Sequence, residues 1–425
     1  FLCTFSAMFC FWISAYTMNF GLVIYAVACM IGFLTGLEIP LITRINQSFE
    51  SLRENISSVM EFDYYGGLLG GALFAFVLLP FLGLTYTPVL IGSFNLLVAS
   101  LILWYFPDRL TRPRILNAQF IALFLVSVLA FAVAKPIILY GEQHKYKDKI
   151  IYQEQTRYQK IVVTQWKDDY WLFINGSTQF STYDEERYHE PLVHPLMGLI
   201  KERKDILLLG GGDGLAAREI LKYPDLENLT LVDLDPAMTR LARQDKVFLG
   251  INQGSLNDPR VRVVNQDAYQ FIKNSGDLYD AVIIDLPDPK SVSLSLLYSL
   301  GFYKMVEKHL KPFGAMVTQS TSPLYSPEAF LCIKKTMEAA GFSTIPYQNS
   351  VPSMGQWGWV LGVRQKTMPA QRLKQELLML GFADIETRFL NRDAMISMAH
   401  FGKGLFEKEA QIEPNTQFDH NIIKY

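Results

Sequence analysis

The stretch Ile206-Leu-Leu-Leu-Gly-Gly-Gly-Asp-Gly214 decides the fold of the second half of this chain, because a short apolar run ends in a turn built mainly of glycine. Glycine adopts the left-handed backbone conformations that such a turn requires. The residues that follow, Leu215–Tyr223, have the spacing of a helix. We therefore predict a buried parallel strand that turns sharply into a helix and leaves main-chain N–H groups free at the turn.

Three further apolar runs follow, and each of them also ends in aspartate. They are Leu229–Asp235, Val261–Asp267 and Ala281–Pro289. The acids at the ends of the four predicted strands are Asp213, Asp233, Asp267 and Asp285. In open parallel sheets, ligands bind beyond the carboxyl ends of the strands. The repetition favours an acidic ligand cleft over a coincidence of strand caps.

The glycine turn lacks the lysine and hydroxyl residues of a phosphate-binding loop, and its Asp213 would repel a pyrophosphate and attract a cation. Asp233 follows the glycines by about 20 residues, where an acid binds ribose hydroxyls. We expect Asp267 to bind the exocyclic amine of adenine and Asp213 to bind a cationic amino group. An adenosyl-sulfonium compound has all three features, whereas a dinucleotide does not.

These motifs resemble those of the polyamine aminopropyltransferases, the spermidine synthase family. The resemblance extends from about Tyr140 to Arg364. It rests on the following segments: Arg157-Tyr-Gln-Lys160, Asn175–Gln179, Tyr183–Glu190, Gly210–Gly214, Gln266-Asp-Ala268 and Asp285-Leu-Pro-Asp-Pro289. The resemblance implies decarboxylated S-adenosylmethionine as donor co-substrate, a di- or polyamine as acceptor, no tightly bound cofactor and no metal. It assigns donor binding to Gln159, Gly210, Gly211, Gly212, Asp213, Gly214, Asp233, Asp267 and Ala268.

The chemistry of aminopropyl transfer suits the remaining site residues. An ammonium ion cannot attack the carbon next to a sulfonium, so the acceptor needs a carboxylate that binds it and takes its proton. We predict that Asp285 is this base and that Asp288 binds the amine. Tyr188 would pack on the methylene chain of the amine, and His189 would hydrogen-bond either substrate. The plainer alternatives are that Tyr188 belongs to the core, that His189 is partly exposed and non-catalytic, and that Asp288 only shapes a turn before Pro289.

The acceptor half departs from the family pattern. Small polar residues are usual between the two acids of the catalytic loop, and here Leu286 and Pro287 take those positions. The late substrate loop is similar to Val351–Trp359, yet its usual tyrosine is absent and Pro352 or Ser353 stands near its place.

The whole chain is 50% hydrophobic and only 19% charged. Most of this apolar bias lies in the first third of the chain. Five apolar runs approach the length of a membrane span. They are Phe1–Tyr16, Phe20–Pro40, Tyr64–Leu82, Tyr86–Phe106 and Leu116–Leu139. Gly66, Gly67, Gly70 and Gly71 are spaced for close helix packing, and Ser51–Asp63 has the pattern of a short helix on the membrane surface. Because Phe1 already lies inside an apolar run, we expect upstream spans to be missing.

The topology of these runs is ambiguous. One side of the predicted bundle carries Arg44, Arg53, Arg109, Arg112 and Arg114, and the other carries Lys145, Lys147 and Lys149. The positive-inside rule slightly favours an external catalytic domain. The presumed donor is made in the cytoplasm, so we predict a cell-membrane protein whose catalytic domain faces the cytoplasm.

We thus predict four parts: a transmembrane α-helical bundle at 1–139, a small β-hairpin domain at 140–190, a doubly wound, Rossmann-like α/β domain of the class I methyltransferase type at 191–366, and a C-terminal helical extension with a loosely ordered tail at 367–425. The expected conversion is putrescine to spermidine, with release of methylthioadenosine. The rival interpretations are an amine methyltransferase and a membrane transporter or sensor that only binds a nucleoside. Membrane lipid is an expected partner, and homo-oligomers are compatible with the pattern. The net charge of −2 gives no affinity for nucleic acid, and the four cysteines show no metal-ligand spacing.

Overall fold

A computed structural model describes residues 5–6, 9–10, 13, 20–46, 51–105 and 113–425 of the chain, which divides into two compact units, Phe1–Ile150 and Ile151–Tyr425. Most of the predicted first span, Phe1–Tyr16, lies outside the described residues, as do Arg109 and Arg112.

The first unit is helical. Its elements are α1 (Phe20–Gly36), α2 (Glu38–Asn46), α3 (Leu52–Leu73), a π-helical segment (Phe74–Leu78), α4 (Leu79–Tyr105) and α5 (Pro113–Gln143). Gly83 interrupts α4 with a φ of 64°, a conformation that glycine adopts without strain. Among the described residues, four stretches are long and apolar enough to cross a membrane: Gly21–Asn46, Leu52–Gly83, Tyr86–Tyr105 and Arg114–Val133.

Two sequence predictions for this unit are wrong for the described residues. The segment Ser51–Asp63 is not a separate surface helix, because α3 continues without a break from Leu52 to Leu73. No proline interrupts this stretch, and its four glycines lower helix propensity without ending the helix. A Cβ atom added at Gly66, Gly67, Gly70 or Gly71 would meet nothing within 4 Å, so no described residue packs closely against this glycine face.

The second unit begins with a small four-stranded sheet. Its strands pair in chain order: β1 (Lys149–Gln155), β2 (Lys160–Trp166), β3 (Asp169–Ile174) and β4 (Ser177–Ser181). Asn175 and Gly176 connect β3 to β4 with φ values of 51° and 81°, as expected for a two-residue hairpin turn. This sheet agrees with the predicted small β-domain.

The main sheet has seven strands in the order β10-β11-β9-β8-β5-β6-β7. Their bounds are β5 (Asp205–Gly210), β6 (Asn228–Asp233), β7 (Val261–Asn265), β8 (Tyr279–Asp285), β9 (Leu310–Gln319), β10 (Phe342–Val351) and β11 (Gly355–Arg364). The four strands predicted from the aspartate motifs pair in parallel, which confirms the α/β fold. The sheet is nevertheless mixed, because β11 runs antiparallel to both β9 and β10. The tight connection at Gly355, with a φ of 96°, produces this edge hairpin.

Helices cover both faces of the main sheet, and the central strands are therefore apolar on both sides. Ile206 and Leu208 pack into one buried cluster, while Leu207 and Leu209 pack into the other. The helices are α6 (Glu186–Leu199), α7 (Leu215–Ile220), α8 (Pro236–Gln244), α9 (Lys246–Asn252), α10 (Ala268–Asn274), α11 (Val292–Ser295), α12 (Leu300–Lys308), α13 (Pro327–Ala339), α14 (Ala370–Met379), α15 (Arg392–Met398) and α16 (Asn421–Lys424).

The prediction of a loosely ordered tail after Glu407 is wrong. Ile412 and Ile422 are buried in the second cluster, and Asn415 is fully buried. The Asn415 amide donates hydrogen bonds to the main-chain oxygens of Ser295 and Tyr298, at 2.8 and 3.2 Å. Isolated apolar residues anchor this tail, and such single residues leave no periodic pattern in the sequence.

Candidate active site

The glycine turn presses against the ends of two neighbouring strands. Gly210 has a φ of 86°, and a Cβ atom there would lie 1.9 Å from the main-chain oxygen of Asp285. A Cβ atom at Gly212 would lie 2.4 Å from Oδ2 of Asp233. Only glycine permits these approaches, so the turn joins the ends of β5, β6 and β8. Gly211 and Gly214 also have left-handed φ values, of 67° and 87°.

Asp233 lies at the end of β6 and is held by main-chain donors. The N–H groups of Gly212 and Asp235 donate to its two carboxylate oxygens, at 3.1 and 2.9 Å. Burial raises the pKa of Asp233 to about 6. Each oxygen keeps a further lone pair, so the carboxylate is able to accept hydrogen bonds from vicinal hydroxyl groups.

Asp213 occupies the glycine turn itself. Its Oδ1 accepts a hydrogen bond from the N–H of Leu215 at 2.8 Å, and its main-chain oxygen accepts one from Asn252. Burial raises the pKa of Asp213 as well. The assignment of a cationic ligand group to this carboxylate stays a prediction.

The remaining predicted donor-binding residues surround the end of β6. Asp267 caps α10 by accepting a hydrogen bond from the N–H of Gln270 at 2.9 Å, and Ala268 is the buried first residue of that helix. Gln159 lies in the turn between β1 and β2. This turn is held beside β6 because the Thr156 hydroxyl donates to Oδ2 of Asp235 at 2.7 Å.

Asp285 ends β8 and receives a hydrogen bond from the Tyr188 hydroxyl at 2.6 Å. Burial raises the pKa of Asp285 to about 6, while the nearby charge of His189 lowers it and that of Asp213 raises it. A carboxyl group with this pKa is ionised at neutral pH and is still able to take up a proton.

Tyr188 lies in the first turn of α6, and its buried ring packs against the edge hairpin. Its ring centroid lies 5.5 Å from that of Trp359 and 6.2 Å from that of Trp357. Only 5% of Tyr188 is exposed, so its ring belongs to the hydrophobic core. Its hydroxyl donates a hydrogen bond to Asp285.

His189 is also buried, at 2% exposure, so the alternative of a partly exposed side chain is wrong. Its Nδ1 donates to the Glu185 carboxylate at 3.0 Å. Burial disfavours the imidazolium, yet the bond to Glu185 outweighs burial and raises the pKa of His189. Sequence reasoning missed Glu185, although an acid four residues before a histidine is a recognisable helical pair.

Asp288 stands in the loop after β8 and has one free oxygen. Its Oδ2 lies 3.5 Å from Nζ of Lys290, and no described residue hydrogen-bonds its buried Oδ1. Burial raises the pKa of Asp288, against the charge of Lys290. An unpaired buried carboxylate oxygen is unfavourable, and a ligand ammonium group would satisfy it.

Four further hydrogen bonds hold the loops on the side of the site that is predicted to bind the acceptor. Tyr298 donates to the main-chain oxygen of Leu286 at 3.0 Å, and Gln319 donates to the same oxygen at 2.6 Å. The N–H and hydroxyl of Ser353 donate to the Asp184 carboxylate at 2.6 and 2.7 Å. Near the place of the usual tyrosine, therefore, this chain has a serine that anchors the hairpin turn to the start of α6.

The described residues contain no grouping of three or more His, Cys, Asp or Glu side chains able to hold a metal ion. The site combines the glycine turn with the carboxylates of Asp213, Asp233 and Asp285 and with the unpaired buried oxygen of Asp288. Together, fold and site define an α/β protein with an acidic cleft at the carboxyl ends of its parallel strands.

Comparisons with known proteins narrow this class. Residues 185–375 match the spermine/spermidine synthase domain. The polyamine aminopropyltransferase of Oceanobacillus iheyensis is 39% identical, over 94% of this chain and 77% of the relative. Polyamine aminopropyltransferase 2 of Aquifex aeolicus is 41% identical, over 95% and 78%. The chain belongs to the polyamine aminopropyltransferase family and is an enzyme of that family.

Solved structures agree with the fold. Spermidine synthase from Thermotoga maritima superimposes with a TM-score of 0.53 at 23% identity, covering 62% of this chain and 88% of that structure. A spermidine synthase in complex with the transition-state analogue AdoDATO gives a TM-score of 0.54, also at 23% identity, with 62% and 89% covered. The predicted aminopropyltransferase class is confirmed, and the binding-only transporter or sensor is set aside.

Proposed function

We propose that this enzyme transfers an aminopropyl group from decarboxylated S-adenosylmethionine to a diamine or polyamine, with putrescine to spermidine as the expected conversion. The observation that carries this proposal is the pairing of Tyr188 with Asp285 at 2.6 Å, three residues before Asp288 with its unpaired oxygen. One acid is oriented as a base, and the other is available to an ammonium group. The solved complex with AdoDATO shows that a related protein binds an analogue of this transition state.

The proposed donor fits the other half of the cleft. Asp233 would bind the ribose hydroxyls, Asp267 the adenine amine and Asp213 the aminopropyl ammonium group. Gln159, Ala268 and the glycine turn would complete the pocket. The donor is a co-substrate that the reaction consumes, and methylthioadenosine leaves after each turnover.

The residues account for each part of the reaction. Asp288 and the hydrogen-bonding capacity of His189 hold the acceptor, and Asp285 takes a proton from its attacking ammonium. The freed nitrogen forms a bond to the methylene carbon next to the sulfonium. The C–S bond breaks with its electron pair on sulfur, so that methylthioadenosine leaves as a neutral thioether. The proton on Asp285 returns to solvent.

Mass spectrometry of reaction products tests this proposal. The full chain, purified in detergent, is supplied with decarboxylated S-adenosylmethionine and a panel of diamines and polyamines. We expect methylthioadenosine and an amine carrying one additional aminopropyl group, with putrescine as the best acceptor. The Asp285→Asn variant and carboxylated S-adenosylmethionine serve as controls. A methylated amine made from the carboxylated donor would instead support the methyltransferase interpretation.

We further propose that the chain is a multi-pass protein of the cell membrane and that its catalytic unit faces the cytoplasm. The four long apolar stretches and their exposed side chains support the first part. The origin of the donor supports the second, whereas the arginine distribution slightly opposes it. A reporter that is active on only one side of the membrane, fused after Tyr425, tests the orientation. Activity of a periplasmic reporter would contradict it.

A further inference from the structure

A short segment beyond the matched domain, Arg388–Leu390, lies against the first turns of α6. The N–H groups of Arg388, Phe389 and Leu390 all donate to the Glu190 carboxylate, at 2.6, 2.9 and 2.7 Å. Glu190 is 1% exposed. These three main-chain donors satisfy a carboxylate that would otherwise be strongly unfavourable in the interior.

The side chain of Arg388 makes a second connection to the same helix. Its guanidinium donates to the carboxylate of Glu185, which also receives hydrogen bonds from His189 and Arg218. Burial alone would raise the pKa of Glu185, but the bond from His189 and the charges of His189, Arg218 and Arg388 lower it to about 2. Glu185 therefore stays ionised and orients the His189 ring by accepting from Nδ1.

Glu185 and Glu190, the two acids that Arg388–Leu390 bind, flank two residues of the proposed amine site. Tyr188 and His189 lie between Glu185 and Glu190 in the sequence, and Tyr188 contacts the base Asp285. In addition, the guanidinium of Arg187 lies 4.8 Å from the ring centroid of Phe389. Any movement of Arg388–Leu390 would therefore shift the helical turn that presents Tyr188 and His189.

We propose that Arg388–Leu390 are positioning residues for the acceptor half of the site, acting through Glu185 and Glu190 on His189 and Tyr188. The assignment of Tyr188 and His189 to the amine rests on the proposed function. The ribose-side carboxylate Asp233 is held separately, by Gly212 and Asp235. Disturbing Arg388 should consequently affect amine kinetics and leave the donor nearly unaffected.

Steady-state kinetics of the full chain in detergent test this proposal. Arg388→Ala should lower kcat/KM for the amine about tenfold, the equivalent of one hydrogen bond to a buried charge, while the KM of the donor changes less than twofold. Because Arg388 is 56% exposed, its removal should leave the protein folded. Arg388→Lys keeps a positive charge beside Glu185 and should restore much of the activity.

Arg372→Ala is the matched control, since Arg372 pairs with Glu376 on the exposed side of α14 and with no other acid among the described residues. It should leave both substrates' constants unchanged. Unchanged amine kinetics in Arg388→Ala, or an equal loss for donor and amine that lysine does not restore, would overturn the positioning role. A wild-type chain that makes no product from any amine would contradict the proposed function instead, so the two failures are distinguishable.

Discussion

At the scale of single residues, the surroundings of the proposed base, Asp285, set its pKa. Asp285 is an ordinary aspartate whose pKa burial raises to about 6. The hydroxyl of Tyr188 donates a hydrogen bond to this carboxylate. The strand-end pattern predicts Asp285, but it does not predict the hydrogen bond to Tyr188, which joins residues 97 positions apart.

We predict that Asp285→Asn lowers kcat at least 100-fold, because general base catalysis contributes about 10²–10⁴-fold to a rate. Asparagine keeps the shape and the acceptor for Tyr188 but takes no proton. Donor affinity, measured by calorimetry, should stay nearly unchanged. The control is Asp258→Asn, which removes a carboxylate from a peripheral ion pair with Arg260. If Asp285→Asn keeps most of its activity at saturating amine, another group is the base.

We predict that kcat/KM for the amine rises with pH through about 6, since Asp285 must be ionised to accept a proton. A hydrogen bond to the charged form lowers a pKa, so removing it in Tyr188→Phe should raise the pKa of Asp285. The acidic limb of the pH profile should then move upward by about one pH unit.

The matched control for this profile is Tyr223→Phe, which loses a hydroxyl bound to His194 away from the cleft. Its acidic limb should coincide with that of the wild type. A limb that stays in place in Tyr188→Phe would mean that the observed ionisation belongs to a different group.

At the scale of elements, the parts with short-range signals are predictable from sequence and the others are not. The strands β5 to β8 follow from apolar runs that end in aspartate, and the hairpin at Asn175-Gly176 follows from its turn residues. The antiparallel edge hairpin and the anchored tail depend on contacts between distant residues. The four-residue spacing of Glu185 and His189 is a local signal, whereas the contact of Glu185 with Arg388 spans 203 residues.

The tail gives a prediction at this scale. Asn415→Ala leaves the main-chain oxygens of Ser295 and Tyr298 without the donors that now satisfy them. Unsatisfied buried polar groups cost about 1–3 kcal/mol each, and each kcal/mol lowers the Tm of a domain this large by about 2–4 °C. Thermal unfolding should show a drop of several degrees. Asn257→Ala, which loses two exposed hydrogen bonds with Arg243, should change the Tm much less. Equal stabilities would contradict the anchoring role of the tail.

At the scale of the whole molecule, the chain combines two units whose surfaces differ. Large apolar side chains are exposed along the helices of the first unit, whereas those of the second are mostly buried. Such continuous apolar surface is characteristic of helices that contact lipid. The division falls between Ile150 and Ile151, within β1, so a separated second unit must begin before Lys149 to keep this strand whole.

We predict that the full chain sediments with washed membranes, whereas a shortened chain beginning at Gly141 stays in the supernatant and keeps its activity. Beginning at Gly141 preserves Gln143, whose side chain bonds Asp148 and Ile150 at the start of β1. Fractionation followed by activity assays checks both statements. Full-length protein found in the supernatant would contradict the membrane assignment.

The acids at the strand ends have a consequence for how tightly the cleft binds the donor and the by-product. Burial raises the pKa values of Asp213, Asp233 and Asp285, so their negative charges are unfavourable in the cleft unless a cation lies beside them. In the proposed reaction the arriving nucleoside is a dication, and the departing nucleoside is neutral. The same cleft thus attracts the substrate and loses its electrostatic hold on the by-product once the C–S bond has broken. Added salt should therefore weaken binding of the donor and leave binding of methylthioadenosine almost unchanged.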